Sequence, residues 1–345
     1  MTRRVPALAF VMLLLGACAP EARREPATTA EPQAQSKTGL RLRIVPHVDM
    51  YYLVRYRAAA PPGVAIEPEL GEAVTAARRI QEFFGTFGGW GPVDTLFIGA
   101  DRLADVRAAA AAVDDPFELR DGRQVDLRTP VLDLVAALER LEPAFLERSW
   151  PERRAALDTA MQQLEQRFLP AHRQALAFML QSLGIADPEL EAPVFLVQEA
   201  NAPGAFTFYL RGGAPACVVR IDEGVNTQLF ETVLHEATHV LDMASDEHAS
   251  VFVTLRELLE RRGVGSDDRR IHDVPHTLMF VQAGETVRRF YDPQHVDYGA
   301  TTTLYARSEP IASIELEIWH EHLAGKLARD EALARIVDRV LAEKP

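Results

Sequence analysis

NTQLFETVLHEATHVLDM, residues 226–243, carries an apolar stripe of Phe230, Val233, Leu234, Ala237, Val240 and Leu241 at the spacing of one helix face. The segment therefore reads as an amphipathic helix, with Asn226 at its start. Within it lies His235-Glu236-Ala237-Thr238-His239. A helix turns by about 100° per residue, so imidazoles four apart lie about 40° from one another and can share one metal ion. Glu236 stands beside them as a carboxylate able to take a proton from water. A purely structural zinc site closes its fourth position and has no use for such a carboxylate. Eight of the ten histidines, from His235 onward, fall in the last third of the chain.

Upstream, Ala205–Leu210 (AFTFYL) and Cys217–Ile221 (CVVRI) are β-rich runs separated by Gly212-Gly213, which predicts a hairpin feeding the helix. Strand, H-E-x-x-H helix and further helices across about residues 190–310 resemble the zincin metallopeptidases. The resemblance implies a zincin-like, α+β and predominantly helical fold with a small antiparallel sheet. It also implies one Zn²⁺ per chain and an edge strand that holds an extended peptide or protein substrate. Hydrolysis would use a metal-activated water with Glu236 as general base.

A catalytic zinc needs a third protein ligand. The metzincin extension is absent, because Asp242 and Ser245 stand where that family has Gly and its third His. The gluzincin pattern, with a Glu on a later helix, fits better: Pro275–Phe290 is expected to be helical, opened by Asp273, and carries Glu285 beside the small pair Ala283-Gly284. Arg289 replaces the acidic residue often found four positions after that Glu. His276 is the alternative third ligand. It lies nine positions from Glu285, about half a turn around a helix, so an unbroken helix directs only one of them to the metal. Asp242 shares the helical face of His235 and His239 and is expected to hydrogen-bond an imidazole. Tyr298, Tyr305 and His295 are candidate donors to a developing oxyanion.

The N-terminus is a second signal. Basic Arg3-Arg4, apolar Ala7–Leu15 and Leu15-Gly16-Ala17-Cys18 resemble a bacterial lipoprotein signal, which implies cleavage before Cys18 and lipidation of that residue. Ala19 in place of Asp points to the outer membrane, facing the periplasm, if the cell is Gram-negative. The division expected is residues 1–17 as signal, 18–39 as lipidated Cys and disordered tether, 40–186 as a mainly helical region, and 187–345 as a zincin-like catalytic region. In the second region Leu40–Arg57 alternates as a strand does, while Leu70–Phe84, Val131–Leu141 and Leu157–Gly184 read as helices. Ile311–Leu323 and Ala328–Leu341 read as helices at the C-terminal end.

Cys217 is the only cysteine besides Cys18, so no intrachain disulfide is expected in the mature chain. A net charge of −13 argues against a nucleic-acid partner, which calls for a basic face. The function expected is therefore a zinc-dependent hydrolase, foremost a peptidase, lipid-anchored to the cell envelope. The alternative is a non-catalytic envelope binding or scaffold lipoprotein with a zincin-like fold.

Overall fold

The computed structural model describes residues 37–85, 90–119, 122–210, 214–221, 224–245 and 250–343. The signal segment, Cys18 and most of the tether lie outside them. Residues 36–345 form one compact unit, of the α+β class and predominantly helical. No described helix is long and apolar enough to cross a membrane.

Strand β1 (Gly39–Arg43) leads into helices α1 (Pro46–Ala58), α2 (Gly71–Phe84), α3 (Gly91–Ile98) and α4 (Leu103–Ala111). The short pair β2 (Phe117–Glu118) and β3 (Gln124–Val125) precedes α5 (Arg128–Ala144), which passes through a π-turn at Phe145–Ser149 into α6 (Trp150–Arg167), followed by α7 (Leu169–Leu183). Then come β4 (Glu191–Val197), β5 (Ala205–Phe208), β6 (Ala216–Arg220) and α8 (Thr227–Ala244). Helices α9 (Val251–Arg261) and α10 (Arg270–Phe290), the single turns α11 (Tyr298–Thr301) and α12 (Leu304–Arg307), and finally α13 (Ile311–Leu323) and α14 (Arg329–Ala342) complete the chain.

The main sheet has the order β1-β4-β6-β5. It is mixed rather than antiparallel: β4 pairs in parallel with both β1 and β6, and only β5 runs antiparallel, with Ala205 opposite Val219. The antiparallel expectation came from the β5–β6 pair alone. Local sequence carries no sign of the pairing of Gly39 with Glu191.

Side-chain alternation divides the sheet cleanly. Phe195, Val197, Phe208, Ala216 and Val218 face a core built with α1 to α5. Val194, Leu196, Ala205, Cys217 and Val219 face the other core, with α6 to α10, α13 and α14. Cys217 is fully buried there. The sheet, not residue 187, is thus the divide between cores, and α6 and α7 pack on the side of α8.

Two elements depart from the sequence reading for identifiable reasons. Tyr52, Val54 and Tyr56 belong to a helix, α1, whose residues from His47 to Arg55 are all buried. A helix enclosed on every side has no polar face to mark its period, and short apolar alternation then imitates a strand. The single helix expected over Leu157–Gly184 is broken at Phe168, before Pro170 near the start of α7, since proline cannot donate the backbone hydrogen bond that a continuous helix needs.

Candidate metal centre and active site

Helix α8 begins where Asn226 accepts the Leu229 N–H through Oδ1 at 2.9 Å, satisfying one of the free donors of the first turn. Its apolar stripe is wholly buried and fixes the helix's rotation. His235 and Glu236 are also buried, while His239 is partly exposed.

His235 is clamped by Phe280, whose ring stacks on it at 3.5 Å between centroids and 18° between planes. His239 Nε2 lies 3.0 Å from His235 Nε2. The third member comes from α10: His276 has its ring 5.0 Å from that of His235 and 5.5 Å from that of His239. One ring nitrogen from each of the three lies within 4.8 Å of the others. His276 and Phe280 are one turn apart on α10, so the face that stacks Phe280 on His235 also delivers His276.

Glu285 is on another face of α10 and does not join this group. Its carboxylate accepts from Arg288 and contacts His320. Helix α10 starts at Arg270, with Pro275 inside it rather than at its first position. The small Gly284 serves a local need: a Cβ there would lie 2.1 Å from Asp297 Oδ1.

The electrostatics suit a metal. Burial pushes the His235 and His239 imidazoles well below their ordinary value, with neighbouring imidazoles adding to the effect. His276 is lowered to about 4, first by burial and then by His272. All three rings are therefore neutral at pH 7 and offer lone pairs. Nitrogens held tetrahedrally at about 2.0–2.1 Å from Zn²⁺ lie roughly 3.3–3.4 Å apart, so the cluster fits one such ion with modest adjustment of the rings.

Glu236 is 7% exposed. Thr207 Oγ1 donates to its Oε2 at 2.6 Å and lies 3.1 Å from its backbone oxygen. Burial raises the carboxyl to about 7, against the lowering effect of the Thr207 bond. Thr207 escaped the sequence reading, although a signal was present. In Ala205-Phe206-Thr207-Phe208 the alternation sends both phenylalanines to one face and leaves Thr207 on the face of α8.

A second buried group, Glu231, His295 and Asp297, also has potential ligand atoms within 4.8 Å of one another. Its interactions are of another kind. His295 Nε2 is 2.6 Å from Glu231 Oε2 and its Nδ1 is 3.0 Å from Thr227 Oγ1. The Tyr298 N–H donates to Glu231 Oε2 at 2.7 Å, and Arg288 pairs with Asp297. A guanidinium already occupies the place of a cation. His295 and Tyr305, whose hydroxyl lies 3.5 Å from Asp297 Oδ2, are buried in this network and do not face the three imidazoles.

Asp242 also differs from expectation. Among the described residues its carboxylate accepts not from an imidazole but from Ser250 Oγ and from the Val251 N–H, both at 2.7 Å, and so caps α9. Tyr298 remains near the site, stacked on Phe280 at 5.8 Å and lining a cavity.

That cavity, about 430 Å³, is bounded by Gly204, Arg220, Asn226, Thr232, Tyr298 and Thr301 among others. Another, about 360 Å³, is bounded by Tyr209, His239, Met243, Phe252, Val253 and Arg256 among others. Thr232 lies one helical turn before Glu236, and His239 lies just after it. The two cavities thus flank the imidazole cluster along α8.

Compared with protein-family models, with curated proteins and with solved structures, the chain matches none.

Proposed function

We propose that this chain is a zinc-dependent hydrolase, a peptidase of zincin-like character, in which His235, His239 and His276 hold the ion and Glu236 is the general base. The observation that carries this reading is the meeting of three neutral imidazoles from two helices beside a buried carboxyl raised to about 7. A structural site would have no need of that carboxyl.

Bound zinc would supply a Lewis acid that acidifies water and polarises a carbonyl. Glu236 Oε2 is held by Thr207, which leaves Oε1 to take the proton from the attacking water and to pass it to the leaving amine. In the metal-free chain burial raises this carboxyl to about 7; a bound cation would favour the carboxylate, the form that accepts the proton. Phe280 keeps the His235 ring from turning. Lipidation of Cys18 would place the enzyme at a bacterial envelope membrane.

The test is metal content followed by turnover. One equivalent of zinc in the wild type, lost in His235→Ala and His276→Ala but kept in Glu285→Ala, is the expected result. Glu236→Gln should retain zinc and lose peptide hydrolysis. A scaffold would instead behave identically with and without that substitution.

A further inference from the structure

The chain holds two pairs of histidines four positions apart, His235 with His239 and His272 with His276. The first pair supplies two members of the imidazole cluster, and the second supplies only His276. Its other half, His272, lies one turn earlier on α10, with its ring 5.1 Å from that of His276 and inclined to it by 33°. That separation is close to the 4.5 Å between the rings of His235 and His239. Two imidazoles so placed can share one metal ion.

The pairs differ in exposure. The His272 side chain is 70% exposed, His276 and His239 are partly exposed, and His235 is fully buried. His272, His276 and Phe280 follow one another at single turns of α10, their rings 5.1 and 5.2 Å apart, and Phe280 stacks on His235. The stripe thus runs from solvent to the innermost ligand. At its outer end Asp273 Oδ1 lies 3.4 Å from His272 Nδ1, while the same carboxylate pairs with Arg269 at 3.2 Å. A ring whose Nδ1 faces a carboxylate keeps Nε2 for a metal.

We propose that His272 and His276 form a loading station, where a zinc ion from solvent is first held and from which it passes to the inner site without release. The proposal rests on the metal-binding half of the reading above and is independent of hydrolysis. At the station two imidazoles and two waters make up the tetrahedral set that zinc favours. On passing inward, bonds to His239 and His235 form, those to His272 and one water break, and His276 holds throughout. The ligand count is unchanged. His272 is not retained, since the group whose nitrogens converge within 4.8 Å is His235, His239 and His276. A station of two imidazoles holds zinc only in passing, so one equivalent remains the expected content.

The test follows zinc uptake rather than turnover. Chelator-stripped wild type, His272→Ala and His272→Cys are mixed with zinc in a stopped-flow instrument, with a fluorescent zinc indicator as readout. Release is followed by transfer of the bound zinc to excess indicator, and affinity by competition with it. The exposed His272 can be replaced without disturbing the core, which circular dichroism checks.

His272→Ala is expected to bind one equivalent with a Kd within about twofold of wild type. Uptake and release should both slow by about tenfold or more, because a group that acts only along the route alters the two rates equally. His272→Cys, which substitutes one zinc ligand for another, should restore most of the speed. Unchanged rates in His272→Ala overturn the proposal. So does a weakened affinity, which would make His272 a resident ligand. Absence of zinc binding in the wild type removes the inner site and the station together. Slow loading of His272→Ala beside fast loading of the wild type, with no peptide cut by either, leaves the station standing and the hydrolase reading fallen.

Discussion

Two clusters sit one helical turn apart on α8 and both consist of residue types that can ligate a metal, yet they are built for different ends. Around Glu231, carboxylates meet His295, the Tyr298 N–H, Arg288 and Tyr305, and the charges are largely answered from within. Around His235 the residues are three neutral imidazoles that form no ion pair among the described residues, although the charge of Asp273 acts on His276. In the first arrangement the partners converge on Glu231 Oε2, and Oε1 is left without a hydrogen bond among the described residues. The second has lone pairs directed together, and His239 and His276 give it access to solvent. Ligand residue types therefore do not by themselves suit a site to a metal; convergent lone pairs with a route to solvent do more to make a group able to hold one.

Breaking the open cluster should give the largest effects. His276→Ala and His235→Ala are expected to lower zinc affinity by several orders of magnitude, as removal of a direct ligand does, whereas Glu285→Ala keeps one equivalent by metal analysis. Equal loss in Glu285→Ala would reverse the assignment. Glu236→Gln, with zinc retained, should reduce kcat by about 10²–10⁴-fold, the usual contribution of a general base.

The closed cluster should answer in stability. His295→Ala leaves Glu231 buried with fewer partners and is expected to cost about 3 kcal/mol in urea unfolding, with zinc stoichiometry unchanged. Loss of zinc in a folded His295→Ala protein would show that the clusters are coupled.

A pH measurement sharpens the contrast. Glu236 has a folded-state value of about 7 against an ordinary 4.5, so the metal-free folded chain holds this proton more tightly than the unfolded chain does. Its contribution to stability is fully present below pH 4.5 and is lost as pH rises through 7, by about 3 kcal/mol at most. Comparing metal-free wild type with Glu236→Gln over that range isolates it, because Gln does not titrate. Parallel curves would mean that the carboxyl is not raised. Bound zinc should flatten the wild-type curve, since a nearby cation favours the carboxylate.

The smallest effect concerns Thr207. Replacing it with Val keeps the shape and removes the hydroxyl that holds Glu236, and about a tenfold fall in kcat with little change in KM is expected, with Thr207→Ser restoring most of it. A change in KM alone would assign Thr207 to substrate contact instead.

Much of the local framework was legible before any coordinates. Helix α8, the antiparallel β5 and β6, and helices α13 and α14 lie where periodicity placed them, because amphipathic elements buried on one face write that face into the sequence. Enclosed α1 carried no such mark, and β1 needed a partner some 150 residues away. Asp242 illustrates a different limit: position on a helix face does not say which neighbour arrives there, and α9 brought its own N-terminus to that carboxylate.

The pairing of His235 with His239 was fixed by the sequence itself, since positions i and i+4 on any helix share a face. Glu236 beside them followed from the same geometry. The choice between His276 and Glu285 was not open to that reasoning. Both lie on α10, about half a turn apart, and only the packing of Phe280 against His235 and of Glu285 against Arg288 and His320 sets which face meets α8. Tertiary packing decides the rotation of one helix against another, and with it the third imidazole and the hydroxyl on β5 that holds the base.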